Sequence, residues 1–544
     1  MASPIADSTL RRSHQVVGIL CVLATAVLSP TTAYTEERSS GSPLNLRVTP
    51  REPNTEWKRE HIINRINRNS DVRQAVADME ERLERYRTGI NPDPTHIVPY
   101  ENHPYDKTNR RLQDGTNTTD SRFKPMRIIF ETGALDDIRT SENTEKIDWI
   151  KNEVLPRTAE FWSKTLSVVP VSGDLKISAA ELDNRLYCGD PEFTRVPAEH
   201  VSSGVPNADL ILYVSGSDSP NFCPSRTLAV AVPCNFDNFD RPTAGAVNVC
   251  LDEIVLNSDF SASDAVLQDY MDVLVHEVGH VLGHSSNSYK FYWDPDTGAP
   301  RTPRPFSGRT VTCVDGRERT LILPDANTMK FTLTTDGVRY ASIVTPKVQA
   351  VARNQFDCQT LAGGRLENQP TRSESCTGDH WDESLYYPET MSGVISPTTN
   401  IFTSLTLALL EDSGWYKADY AMTRMSPWGL GAGCDFVEKP CLEKTDAGVT
   451  VPDYAEGFFC NKQNEEGCSA ELTHKQGCTV IDYFYLVPQN LPPEQFQWFP
   501  DEPSLGGPRQ ADFCPVYGSP TGNKDTEELD CTKIDNGGSV NLFR

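Results

Sequence analysis

The chain has 544 residues, with 51 Lys and Arg against 76 Asp and Glu, a formal net charge of -25 at pH 7 and a sequence pI of about 4.8. So acidic a balance argues against nucleic acid or an anionic membrane surface as the primary partner, because both would repel it. Of the 15 cysteines, Cys21 stands apart near the start, and the others run from Cys188 to Cys531 in an even, scattered set without paired CxxC clusters. That pattern points to a disulfide framework and an oxidising destination, and away from a cysteine-ligated zinc site.

In chain order, basic Arg11-Arg12, an apolar run from Val16 to Leu28 and the small residues Ser29 to Ala33 have the layout of a secretory signal peptide, assigned to residues 1–34. The run is short for a spanning helix, which leaves a membrane-anchoring segment as the alternative. Residues 35–122 change character: Arg51 to Arg87 is highly charged, and Ile62, Ile63, Ile66, Val72, Val76, Met79 and Leu83 recur at helical spacing. This reads as the propeptide of a zymogen, with a permanent N-terminal helical arm as the alternative. Loop-like stretches around Arg110-Arg111 suit processing and hold a glycosylation sequon at Asn117. No cysteine lies between Cys21 and Cys188, so latency through a thiolate is ruled out; His61, His96 and His103, or steric cover, are the candidates.

The mature region opens with a strand pattern, Met126 to Phe130, then a helix candidate from Ile147 to Leu155 and a second strand, Asp209 to Val214. Ser261 to Asp264 offers helix N-caps. Beyond them Val266, Leu267, Tyr270, Met271, Val273, Leu274, Val278 and Val281 recur at helical spacing up to Gly283. Within this helix lies His276-Glu277-Val278-Gly279-His280. Two histidines four positions apart project from one helical face and can reach one Zn2+, with Glu277 beside them as a general base. Zinc lowers the pKa of a bound water to ~7, so a neighbouring carboxylate can take its proton as a carbonyl is attacked. Catalytic zinc generally takes three protein ligands; His284 lies one turn on, and His380 and His474 lie further along.

The motif HExxHxxG runs through Gly283, but the last position of the short metzincin pattern is Ser286 where that pattern has histidine. A long insertion follows, then His380-Trp381 and, eleven residues past His380, Met391. This arrangement resembles the leishmanolysin family of metzincin peptidases. Further stretches are similar in the same order: Cys234 to Cys250 with Arg241-Pro242, Val344 to Val348, Ala352 to Cys358, Leu366 to Gln369, Leu405 to Asp419, Pro427 to Cys434 and Ala511 to Pro515. The resemblance covers roughly residues 125 to 531.

The resemblance implies an α+β fold: a metzincin-type zinc peptidase catalytic module with a long insertion before the third histidine and a disulfide-rich C-terminal domain. It implies residues 123–284 as the N-terminal catalytic subdomain, 285–379 as the inserted region, 380–433 as the Met-turn and C-terminal catalytic part, and 434–544 as the cysteine-rich domain. It makes His380 the third ligand, with His276 and His280, of one Zn2+ per chain, and Met391 the Met-turn residue beneath it. The expected function is a secreted zinc metalloendopeptidase acting on protein or peptide substrates, with Glu277 as general base. The alternative is a catalytically inactive cell-adhesion or binding protein on the same fold, and cell-surface or matrix proteins are a candidate class of partner. No apolar tail follows Cys531, so neither a transmembrane nor a glycolipid anchor is expected after signal removal. Calcium is left open, since Asn235 to Asp240 is acidic but lacks a coordination spacing.

Overall fold

The protein was analysed as a computed structural model that describes residues 122–223, 227–369, 375–393, 400–446, 448–463, 465–486 and 491–520, with shorter pieces between 76 and 105. All belong to the unit spanning residues 54–544. The expected signal peptide, Arg110-Arg111, the Asn117 sequon, His61, His96 and Cys531 lie outside the described residues.

A four-stranded mixed sheet organises the N-terminal half. Strand β1 (Ile128–Glu131) leads through a helical run, Thr144–Trp149 and Ile150–Val154, into α1 (Leu155–Thr165). The Ile150–Val154 stretch is a widened π turn immediately before Pro156. A proline lacks the N–H of the helical ladder and crowds the carbonyl four residues back, so a local widening at that point lets the run continue. The expected Ile147 to Leu155 helix is therefore the middle of a longer one. Strands β2 (Leu210–Ser215), β3 (Ala229–Phe236) and β4 (Pro242–Val249) complete the sheet in the order β1-β2-β4-β3. β1, β2 and β4 run parallel, and β3 is an antiparallel edge strand whose register shifts after Pro233. An edge position with a bulge is where a strand tolerates proline.

Every residue of β2, β3 and β4 is buried, because both faces of the sheet are covered. Leu210, Leu212, Val214, Ala231 and Val247 point into the main core with α1 and α2 (Asp264–Leu282). Ile211, Tyr213, Val230, Val232 and Ala246 point the other way, into a second cluster with Leu175, Ile177, Leu182 and Phe193. The period-two alternation of strand side chains thus feeds two cores from one sheet. α2 starts where the Ser263 hydroxyl caps the Val266 N–H and stops at Gly283, whose φ of 129° ends the helix.

The region 285–379 holds a hairpin, Arg309–Thr312 with Glu318–Leu321, followed by β5 (Met329–Leu333), β6 (Arg339–Ile343), α3 (Pro346–Phe356) and β7 (Gly364–Arg365). β5, β6 and β7 form a three-stranded sheet that delivers the chain to Glu367 and, after a loop, to His380. Next come the short α4 (Glu383–Tyr386) and the buried α5 (Ser404–Asp412). The C-terminal part has small sheets, including β8 (Glu466–Cys468), β9 (Lys475–Cys478) and β10 (Tyr517–Pro520).

Among the described residues, six disulfides join Cys188–Cys234, Cys223–Cys250, Cys313–Cys376, Cys358–Cys434, Cys441–Cys514 and Cys460–Cys478. Cys468 is in none of them. The carboxylates of the acidic stretch before β4 are engaged by arginines: Asp237 pairs with Arg241 at 3.2 Å and Asp240 with Arg304 at 2.6 Å. That engagement argues against calcium there.

One buried carboxylate ties β1 to the second layer. Asp209 accepts hydrogen bonds from the Arg127 backbone N–H (3.0 Å), Arg127 Nε (2.9 Å), Arg127 Nη2 (2.8 Å) and the Val171 N–H (2.8 Å). Asp209→Ala leaves those donors unpaired and is expected to lower the unfolding free energy by roughly 2–4 kcal/mol, read from urea denaturation midpoints. A loss below about 0.5 kcal/mol, the scale of an ordinary surface change, would contradict this role.

Candidate metal and active site

The helical spacing of His276 and His280 sets both rings on one face of α2, and the chain returns His380 to meet them after the sheet of β5, β6 and β7. One ligand atom from each of the three lies within 4.8 Å of the others. Ring centroids are 4.7 Å apart for His276 and His280, 5.3 Å for His276 and His380, and 5.0 Å for His280 and His380.

What orients the rings is on their far sides. His276 Nδ1 donates to the Thr390 carbonyl at 2.6 Å, His280 Nδ1 donates to the His284 carbonyl at 2.6 Å, and His380 Nδ1 meets Glu367 Oε1 at 2.7 Å. A carbonyl oxygen can only accept, so the proton of each helix histidine sits on Nδ1 and its Nε2 presents a lone pair. The two Nε2 atoms face each other at 3.0 Å. Burial, with His276 and His380 beside it, holds His280 well below the usual imidazole range and keeps it neutral. Two lone pairs turned toward each other repel unless a cation lies between them. Zn–N bonds of ~2.0–2.1 Å at a tetrahedral angle separate two ligand nitrogens by about 3.3 Å, close to the spacing here. The donor set therefore fits zinc.

His284 stands outside this group. Its Nδ1 lies 3.0 Å from the Asp379 carbonyl, its ring packs edge-on against Trp381 at 4.8 Å, and burial pushes its pKa down to about 3. Its contribution is the backbone carbonyl, returned by the turn at Gly283 to hold His280. His474 lies with Glu471 and Thr473 along a cleft. His103 stacks on Phe239 with ring centroids 3.8 Å apart.

Met391 is fully buried under α2. A Cβ at Gly279 would come within 2.6 Å of Met391 Sδ, so the glycine inside the motif makes room for the methionine. Glu389 builds the turn that carries Met391: it accepts from the Met391 N–H at 2.5 Å, from Thr403 Oγ1 at 3.0 Å and from Thr406 Oγ1 at 2.7 Å. Glu367 is brought equally close, since a Cβ at Gly378 would fall 1.9 Å from Glu367 Cγ. Neither glutamate was singled out from the sequence. Glu367 sat within a stretch noted for its family likeness, but nothing in the spacing marked it as the partner of a histidine. Glu277 is half-buried on α2 beside His276. A cleft of about 880 Å³ runs along the N-terminal half of α2, lined by Asp272, Val275, Thr390, Phe402 and Arg424 among others.

A fold of mixed helices and sheet, six disulfides and a histidine triad on a helix and a distant loop define a candidate metallopeptidase. The family model for leishmanolysin, peptidase family M8, matches residues 127–532, and the chain belongs to that family. A leishmanolysin-like peptidase of Drosophila pseudoobscura pseudoobscura is 28% identical over 449 residues, covering 72% of this chain and 63% of the relative. One from Caenorhabditis elegans is 28% identical over 482 residues, 77% of this chain and 69% of the relative. Leishmanolysin of Leishmania major is 27% identical over 387 residues, 71% of this chain and 53% of the relative. The chain thus spans only 63% of the Drosophila relative's length.

Two outcomes test this construction. Glu367→Ala should weaken zinc affinity about 10- to 100-fold by freeing the His380 ring, measured by competition with a chromogenic chelator; unchanged affinity would remove Glu367 from the site. Burial pushes Glu389 from 4.5 up to about 7. The folded chain therefore holds a proton that the unfolded chain releases, so this contribution to stability is complete below 4.5 and is lost as pH rises through about 7. The stability of wild type relative to Glu389→Gln, from urea unfolding at several pH values, should shrink over that window; a flat or rising difference would contradict it.

Proposed function

We propose that this chain is a secreted zinc-dependent endopeptidase with a metzincin-type catalytic module. The convergence of His276, His280 and His380, with Nδ1 atoms tied back and Nε2 atoms turned inward, is the observation that carries the reading. Family membership supports it. In this reading residues 123–284 and 380–433 are the two parts of the module, 285–379 the insertion between them, and 434–544 a disulfide-rich domain. The three histidines would hold Zn2+, and Met391 would shape the floor beneath it. Bound there, zinc would supply a Lewis acid that makes water nucleophilic near neutral pH and polarises a peptide carbonyl.

The rest of the chemistry falls to the chain. Glu277, one residue after His276 and half-buried, would take a proton from the attacking water and hand it to the leaving amine. Thr390, His284 and Glu367 keep the three rings from swinging out of register, which a site built from neutral imidazoles requires. The cleft beside Val275 and Thr390 is where a polypeptide substrate would lie, with Phe402 offering apolar surface and Arg424 and Asp272 offering charge. Six disulfides support passage through an oxidising compartment. Among the described residues no helix is long and apolar enough to cross a membrane.

The test is cleavage of an unstructured protein by the purified, zinc-loaded chain beside Glu277→Gln. The variant should keep one zinc per chain by elemental analysis and lose about 10²- to 10⁴-fold in turnover. A silent wild type with full zinc, or a variant as active as wild type, would overturn the peptidase reading.

A further inference from the structure

Residues between 76 and 105 precede the family match yet are built into the folded unit. The described residues 76, 78–80, 83–84 and 87–88 are helical, and Met79 and Glu80 are buried. Arg87 is the centre of the contact. Its guanidinium lies 3.5 Å from the ring centre of Phe236 and 3.5 Å from that of Phe291, with Asp240 at 3.6 Å, and its side chain is only 8% exposed. Two aromatic faces and a carboxylate around one guanidinium form a site shaped for arginine. One turn earlier, Glu84 pairs with the buried Lys290 at 2.6 Å. Another turn back, Glu80 accepts from Ser285 Oγ and from Asn287 Nδ2, both at 2.9 Å.

A second set of contacts follows. Tyr100 hydrogen-bonds to Asp237 and receives a bond from Arg241 at 3.0 Å, and the Ser172 N–H donates to the Pro99 carbonyl at 2.7 Å. His103 stacks on Phe239, and Tyr105 stacks on Trp293 at 5.2 Å while donating to the Gly414 carbonyl at 2.5 Å. These partners belong to four separate parts of the fold: the chain after α1 at Ser172, the end of β3 with the turn after it, the chain just after α2, and the turn after α5. Removing the segment would strand Lys290 without Glu84 and open both aromatic faces around Arg87.

We propose that the described pieces between residues 76 and 105 act as a strap that stays docked after the chain is cut beyond it, so that the processed protein is two chains held together without a covalent link. No cysteine lies between Cys21 and Cys188, so the strap has no disulfide of its own and is held by contacts such as those above. The strap also braces the loop beside the histidine triad. Ser285, held by Glu80, adjoins His284, whose carbonyl orients His280, and the Ser286 N–H donates to Asp379, next to His380, at 2.8 Å. This inference stands apart from the peptidase reading, because its test measures association and not turnover.

The full chain, with a site-specific protease sequence placed between residues 105 and 122, is folded and purified. It is then cut until a denaturing gel shows no intact chain, and passed over a sizing column in native buffer. The N-terminal fragment is expected to co-elute with the remainder at equal stoichiometry and to separate only in denaturant; its elution alone in native buffer would overturn the proposal. Arg87→Gln, shown by near-ultraviolet circular dichroism to be folded before cutting, should release the fragment at least about tenfold faster. Release at the wild-type rate would overturn the assignment of Arg87 as the anchor.

Discussion

An imidazole has two nitrogens, and in this site the chain commits one of them on each ring so that the other is left for a metal. The Thr390 and His284 carbonyls take the Nδ1 protons of His276 and His280, and Glu367 holds His380. The remaining lone pairs converge at a separation that is unfavourable when empty and favourable around a cation. Much of the surrounding architecture serves these three bonds. Gly283 ends α2 so that the His284 carbonyl can fold back onto His280. Glu389 shapes the turn that presents Thr390, and Gly378 lets Glu367 approach.

The site is assembled from parts distant in sequence, and rigidity has to come from between them. α2 lies on a sheet buried on both faces, so the first two histidines ride on a helix whose C-terminal half is packed into the main core. The third arrives from β7, and Trp381, next to His380, pairs with both Leu366 and Ser392 and donates to Thr406 of α5. The Cys313–Cys376 bridge closes a long loop of the chain just before His380. Such pinning at both ends is what a ligand on a loop needs to be as well placed as one on a helix.

The parts of this plan that depend on local rules were legible in the sequence. Ser263 as N-cap, Gly283 as the helix stop and the two-histidine face of α2 all follow from periodicity and capping. The strands Leu210–Ser215 and Ile128–Glu131 showed in apolar runs, each within a residue or two. β3 and β4 did not, because Pro233, Gly245 and several alanines weaken the strand signal; their burial on both faces comes from tertiary packing. His380 was set beside the helix histidines only through resemblance, since nothing local distinguishes it from His474; the structure brings its ring near theirs. Glu367 and Glu389 were not found at all: a buried carboxylate that orients another residue leaves no periodic trace. Calcium was left open at Asn235 to Asp240 because two of the arginines that engage Asp240, Arg87 and Arg304, are remote in sequence, whereas the partner of Asp237, Arg241, is adjacent.

The central claim is that three imidazoles, and no other side chains, hold a zinc ion. Zinc-edge X-ray absorption on the purified chain tests it most directly. Three imidazole nitrogens at ~2.0–2.1 Å with one further light scatterer, and no sulfur shell near ~2.3 Å, is the predicted spectrum. A sulfur shell, or a count of two imidazoles, would contradict it.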